Sequence, residues 1–392
     1  MFSYRHAFHA GNHADVLKHM VLVATLKYLG QKDTALTVVD THAGAGLYRL
    51  DQDQAQTSGE ASGGVLKLRA ALAGPDPATL PEALRDYLEM VARFNDGGAF
   101  KHYPGSPWIA HALLRPQDKL KLFEVHPTDS RLLDNQVAEL GRGKQIEVLR
   151  RNGFEGLKSL LPTPTRRGLV LIDPSYELKS DYAKVSACIQ ECIKRFPTGT
   201  YLVWYPIIPR AEAHDLPRRL KTLANQAQKP WLNATLAIGQ DPTHGPEDRP
   251  GLTASGMFVV NPPHTLKGVL QEALMFLEID RCSSSAELKT LERAIHEVFG
   301  DVRMSVADFQ PMKAKARELL AWLDRAKLKV DKAEQRFLVV DHVAAIGGRY
   351  DGEFLVAEKG EVIVQQPVQV DLDFIQLGLV HLELGAIQPG QQ

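Results

Sequence analysis

Two periods of hydrophobic patterning alternate along the first 280 or so residues of the chain. Apolar side chains at helical spacing predict a helix over residues 14–29, with Asn12 placed to cap it. Residues 36–40, Leu-Thr-Val-Val-Asp, then read as a strand running straight into the loop Thr41-His-Ala-Gly-Ala-Gly46. A helix-rich stretch punctuated by Pro and Gly covers about residues 60–115. Further strands are expected at 120–124, 145–149, 168–172 and 200–205, with a helix over about 181–196. Residues 233–238 and 256–261 read as a strand pair joined by a polar, proline-rich loop. Strands that alternate with helices imply an α/β fold with a parallel sheet covered on both faces, and the closing pair adds an antiparallel edge.

The texture changes at Ser283-Ser-Ser285. Beyond it, residues 286–299 and 306–330 read as helices. From 336 onward, short alternating strands are separated by Gly347-Gly348, Asp351-Gly352 and Lys359-Gly360. The expected organisation is a domain over 1–282 with a helical insertion at about 50–115. A small α+β appendage over 283–392 follows, and it carries no catalytic motif.

Composition narrows the class without naming the chemistry. Hydrophobic residues make up 44% and charged residues 24% of the 392, which suits a globular chain with a full core. A formal net charge of −1 supplies no global basic field, so nucleic-acid binding must rest on a local patch. The basic run from Arg210 to Lys229 is expected to be a solvated helix face. The sequence shows no signal-peptide core and no membrane-span run, and Cys188, Cys192 and Cys282 are too few for a disulfide framework. Cys188 and Cys192, four apart on a predicted helix, read as a buried pair, and a cytoplasmic monomer is expected.

Candidate chemistry gathers at strand ends. Asp173-Pro-Ser-Tyr176 follows the apolar run 168–172, where an α/β sheet places its site. The Asp173 carboxylate and the Pro174 carbonyl can accept both N–H bonds of an exocyclic amine, and the Tyr176 ring can stack on the base that carries it. The glycines of the 41–46 loop allow close ligand approach. The missing third glycine weakens a dinucleotide reading, whereas S-adenosylmethionine has no pyrophosphate and needs less of such a loop. Glu124 is the candidate ribose acid. It lies 80 positions beyond Gly44, so the 50–115 segment must be an insertion. Asn152-Gly153 is placed to meet adenine. The amino terminus packs four histidines between Tyr4 and His19. His9 and His13 sit four apart, as zinc ligands can, but Gly11-Asn12 interrupts a helix between them and no third ligand supports a metal. The favoured reading is a basic aromatic arm over bound nucleotide, with Tyr4 and Phe8 stacking and Arg5 and Lys18 reaching anionic groups.

Taken in order, several segments resemble one family. They are Ser3 to His19, Asp40 to Gly46, Tyr103-Pro-Gly-Ser-Pro107, Glu124-Val-His-Pro127, Asp173 to Glu177, Gly199-Thr-Tyr201, Trp204-Tyr-Pro206, Thr253 to Met257 and Asn261-Pro-Pro263. Over about residues 1–280 the chain is similar to the bacterial 23S ribosomal RNA adenine-N6 methyltransferase J family. That resemblance implies a class I, Rossmann-like methyltransferase fold with a seven-stranded sheet, S-adenosylmethionine as donor, and an adenosine of 23S rRNA as acceptor. It further implies that Lys18, His19, His42, Ser106, Glu124, Gly153 and Asp173 line the donor and catalytic site, while Tyr4, His6 and His9 meet RNA. Gly44 and Asn152 join the donor set from the residue pattern above. Protein-free rRNA or an early assembly particle is the expected partner, without metal or membrane. Three departures stand out: Ser175 where the family has a second proline, Asn152 where an acid is usual, and His264 where an aromatic is usual. The alternatives are methylation of another nucleobase amine, such as DNA adenine N6 or rRNA guanine N2, and an RNA-binding relative that has lost catalysis.

Overall fold

The computed structural model describes residues 5–51, 59–72, 80–96, 100–238 and 252–281, with five short strands further along the chain. The first helix, α1 (His13–Leu29), starts where Asn12 accepts a hydrogen bond from Asp15 N at 2.9 Å, as the cap pattern predicts. It is apolar on nearly every side because it is buried on nearly every side. Strand β1 (Thr37–Asp40) is followed by a short ribbon, β2 (Leu47–Arg49) paired with β3 (His102–Pro104). Between these two strands lie α2 (Val65–Leu72) and α3 (Glu82–Ala92). Then come α4 (Ser106–Leu113), β4 (Lys119–Phe123), α5 (Pro127–Glu139) and β5 (Ile146–Leu149). The second half runs β6 (Gly168–Ile172), α6 (Ser180–Arg195), β7 (Thr200–Pro206), α7 (Ala211–Gln226), β8 (Trp231–Ala237), β9 (Ala254–Val260) and α8 (Leu266–Arg281).

Seven of these strands form one mixed sheet in the order β8-β9-β7-β6-β1-β4-β5. The β6–β1, β1–β4, β4–β5 and β6–β7 pairings are parallel, and β9 lies antiparallel between β7 and β8. The predicted strand pair therefore closes the sheet as expected. A strand not anticipated, Leu382–Leu384, adds antiparallel to β8 and makes the sheet eight-stranded. From β1 the chain winds outward to β4 and β5, then returns to β6 on the other side of β1. That reversal puts the switch point at the carboxyl ends of β1 and β6, where open α/β sheets bind ligands.

Strand β6 is buried at every position, and its side chains join a core with Phe123, Ile189, Tyr201 and Val203. Each such aliphatic group contributes about 1.5–3 kcal/mol on burial. Cys188 and Cys192 are buried in the same core with their sulfurs 3.9 Å apart. A second buried cluster ties α1 to the insertion: His19 Nδ1 lies 2.7 Å from the Tyr103 hydroxyl, which lies 3.1 Å from that of Tyr87.

The chain divides into two compact units, residues 1–274 with 380–392, and residues 275–379. In the second, strands Lys329–Asp331, Arg336–Val340, Phe354–Val356 and Glu361–Val364 make an antiparallel sheet. Residues 329 and 330, expected at the end of a helix, are extended there. The helix expected at 286–299 and the body of that at 306–330 lie outside the described residues. Among the described residues no helix is long and apolar enough to cross a membrane.

The buried hydroxyl of Tyr103 gives a test of the insertion's packing. Tyr103→Phe leaves the His19 and Tyr87 groups short of a partner in the interior and should cost about 1–3 kcal/mol. In urea the unfolding midpoint should fall while the slope stays unchanged.

Candidate active site

Three neighbouring strands, β6, β1 and β4, each end in a carboxylate: Asp173, Asp40 and Glu124. Backbone bonds lock the three ends together. Thr41 donates both its N–H and its hydroxyl to Leu171 O at 3.0 Å, and Ala43 N donates to Phe123 O at 2.9 Å. Glu124 Oε2 accepts from Gly44 N at 2.7 Å, and its Oε1 accepts from His126 N at 2.7 Å. Burial raises the Glu124 pKa against these two bonds. Gly44 sits at φ +64°, and a Cβ there would meet the Tyr48 hydroxyl at 2.3 Å, so the loop demands glycine on two grounds. A Cβ on Gly153 would lie 2.2 Å from Thr41 O, which packs the turn after β5 directly on the loop after β1.

Asp40 is 2% exposed. Its Oδ2 accepts from Ser106 Oγ at 2.6 Å and its Oδ1 from His42 N at 3.1 Å. Burial lifts its pKa to about 6, opposed by those two bonds, and Asp173 adds to the rise while Lys18 reduces it. Asp40 lay within the quoted loop motif yet was absent from the predicted site. The signal was available, since it ends an apolar strand and precedes the glycines.

Lys18 reaches this cluster from α1. Its ammonium lies 2.6 Å from Asp173 Oδ2 and 2.8 Å from Asp15 Oδ1, and it sits 5.9 Å from the centre of the Trp204 ring. Burial works against the charge, but Asp15 and then Asp173 hold the lysine pKa well above its usual range. Lys18, expected to reach an anionic group of the ligand, is here paired with two carboxylates of the protein, one of them the catalytic candidate Asp173.

Other predicted residues are placed as follows. His42 is half-buried, with Nδ1 2.8 Å from Thr41 Oγ1 and its ring edge-on to Phe154 at 4.9 Å; burial lowers its pKa to about 3. His19 is fully buried behind Lys18, with a pKa lowered to about 3 by burial, so its side chain belongs to the packing of α1. The Asn152 side-chain oxygen accepts from Phe154 N at 2.9 Å and Glu155 N at 3.3 Å, so it serves as a helix cap. His6 Nε2 lies 2.9 Å from Asp15 Oδ2, and the half-exposed His9 pairs with Glu60 at 2.9 Å. Hydrogen bonding to Glu60 raises the His9 pKa. Tyr4 lies outside the described residues.

The expectation of an open Tyr176 ring is corrected by its burial. The ring is 3% exposed, packed on Tyr182 at 4.7 Å and Trp204 at 5.8 Å, and the hydroxyl donates to Trp204 O at 2.6 Å. Tyr176 anchors the turn that carries Asp173. It adopts φ +53°, and Arg210 Nη1 donates to its carbonyl at 3.1 Å. Trp204, partly exposed beside Lys18, is the aromatic surface that sequence reasoning left unassigned.

Comparison with known proteins gives this geometry a family. The profile of ribosomal RNA large subunit methyltransferase D, RlmJ, matches residues 33–290. Ribosomal RNA large subunit methyltransferase J of Haemophilus influenzae is 43% identical over 278 residues, covering 71% of this chain and 93% of the relative. A solved structure, protein LPL1258 from Legionella pneumophila, superposes with a TM-score of 0.59 at 32% identity, covering 69% of this chain and 92% of that one. NAD-specific glutamate dehydrogenase of Pseudomonas aeruginosa is 52% identical over 102 residues, 24% of this chain but only 6% of that enzyme. With the family profile spanning more than half of its length and a relative matched almost end to end, the chain belongs to the RlmJ family of ribosomal RNA large-subunit methyltransferases.

Proposed function

We propose that the site methylates the N6 amine of one adenosine in 23S rRNA, with S-adenosylmethionine as donor. The observation that carries this is the carboxylate of Asp173 at the switch point, on a turn pinned by Tyr176 and Arg210. The donor fits the site's charge. Asp40, Asp173 and Glu124 close three adjacent strands, while the lysine among them is already shared with Asp15. The remaining negative charge suits a donor that carries a sulfonium and an ammonium. Lys18, His42, Gly44, Ser106, Glu124 and Gly153 are the residues to hold it, with Asp40 added to that set. The fragment of similarity to a glutamate dehydrogenase is too small a part of that enzyme to carry its chemistry.

When bound, S-adenosylmethionine supplies an electrophilic methyl group. The protein's task is to make a weak nucleophile attack it. The lone pair of N6 is delocalised into the purine, and accepting both N–H bonds, at the Asp173 carboxylate and the Pro174 carbonyl, turns the nitrogen toward tetrahedral geometry. Alignment and fixed negative charge supply the acceleration. The base must leave its stack to reach this depth, and Trp204 offers the ring to receive it. His6 and His9 lie on the amino-terminal segment that would flank the RNA. The catalytic domain is taken as residues 1–282, with 283–392 appended. It is proposed to act as a monomer in the cytoplasm, on protein-free rRNA or an early assembly particle.

Labelled S-adenosylmethionine and protein-free large-subunit rRNA lacking the modification test the proposal. Wild type should yield N6-methyladenosine. Asp173→Ala should lose roughly 10²–10³ in turnover while donor affinity, measured by calorimetry, stays within about threefold. A variant of near-normal rate removes Asp173 from the chemistry, and label in DNA but not RNA moves the acceptor.

Asp40 gives a second expectation. Its pKa of about 6 means that a cationic donor must displace a proton below that pH. Donor affinity should be level above pH 7 and fall as pH drops through about 6, by up to tenfold per unit. Asp40→Asn should bind the donor more weakly and lose that pH dependence.

A further inference from the structure

Asp15 is a buried acid that the methyl-transfer scheme leaves without a task. It is 1% exposed in the first turn of α1. Its Oδ2 accepts from Gly11 N at 2.8 Å and lies 2.9 Å from His6 Nε2, while its Oδ1 takes the Lys18 ammonium at 2.8 Å. Burial disfavours its charge, yet His6, Lys18 and His19 hold the carboxyl well below the usual carboxylate range. A continuous chain of contacts therefore runs His6–Asp15–Lys18–Asp173, from the amino-terminal segment to the catalytic strand end.

A lysine ammonium is a compact point charge with three donors, so a single buried carboxylate partner takes its full attraction and leaves its place at either oxygen unfixed. A second carboxylate on the far side divides the attraction and fixes the lysine between the two. In this structure Lys18 engages Oδ2 of Asp173. The groups that interact with Lys18 are Asp15 and His19 from α1, Asp173 and Asp40 from the strand ends, the hydroxyls of Tyr48 and Tyr87, and the ring of Trp204, while His6 reaches it only through Asp15.

We propose that Asp15 is a positioning residue for Asp173, acting through Lys18: it holds the ammonium to one oxygen of that carboxylate, leaving the other open to the substrate amine. This rests on the reading of Asp173 as the amine's acceptor.

The test is the pH profile of kcat at saturating donor and rRNA for wild type, Asp15→Asn and Asp15→Glu. Asn retains the shape and an oxygen for Gly11 N but removes the larger of the two carboxylate effects that raise the lysine pKa, the other being that of Asp173. Its kcat should fall about tenfold near neutral pH, and its alkaline decline should begin at least about one pH unit below that of wild type. Glu keeps the charge and should keep the wild-type profile. An Asn variant with wild-type kcat, or one lowered by the same factor at every pH, overturns the proposal. Should Asp15→Asn fail to fold, the double variant Asp15→Asn/Lys18→Met removes both charges together. It should match Lys18→Met in kcat within about twofold, and a further loss beyond that means Asp15 acts without Lys18. Wild-type protein that transfers no methyl to rRNA removes the underlying reading instead.

Discussion

A lysine ammonium buried between two aspartates organises this protein. Lys18 joins Asp15 of its own helix to Asp173 of the central sheet, and breaking either bond would leave a charge uncompensated where Lys18 and Asp15 are buried. The pair gives a physical reason for a nearly all-buried helix to dock with one face at the carboxyl end of β6. It also ties the amino-terminal segment, through His6 and Asp15, to chemistry more than 150 residues along the chain. Segment and sheet are therefore physically joined, although no sequence proximity links them.

The excess of acids over bases around that lysine sets the site's electrostatic character. A protein of net charge −1 has no general attraction for RNA, so the local arrangement must do separate jobs at separate places. Carboxylates at the ends of β6, β1 and β4 favour a cation in the crevice. Of the histidines in the first turn, His6 pairs with the buried Asp15 and the more exposed His9 with Glu60. The raised pKa of Asp40 comes first from its burial deep in the fold, with the nearby Asp173 adding to the rise and Lys18 reducing it.

Much of this was legible in the chain. Period-2 and period-3.6 patterns located the strands of the sheet and α1, because burial of one face or of the whole element dictates them. The strand-end acids Glu124 and Asp173 were visible because apolar runs stop at them. Side-chain direction was not legible. Tyr176 follows Asp173 by three residues, and its spacing says nothing about a positive φ that turns the ring into the core. His19 was placed near the site by resemblance and Asn152 by its position after a strand, and neither reading could show that His19 bonds Tyr103 or that Asn152 caps the helix starting at 153. Asp15 was hidden for the opposite reason. In sequence it is one acid near a helix start, where acids are ordinary, and only the fold shows which lysine and which strand it meets. The pairing of Leu382–Leu384 with β8 joins positions too far apart in the chain for any local pattern to show.

Ser175 bears on whether the site is competent. In the family pattern a second proline stiffens the turn after the catalytic acid. Here position 175 is exposed, so its side chain contributes little to packing. The rigidity comes from both flanks. Pro174 is buried, and the Tyr176 hydroxyl is bonded to the backbone of β7 while its carbonyl takes a bond from Arg210. A proline fixes φ at about −65° for its own residue and cannot fix the positive φ of the next. The conformation that aims Asp173 is thus imposed by the tyrosine's anchorage, and Lys18 fixes the carboxylate from the other side. A serine at 175 leaves both restraints in place, which argues for a working methyltransferase over a relative that has kept the fold and lost the reaction.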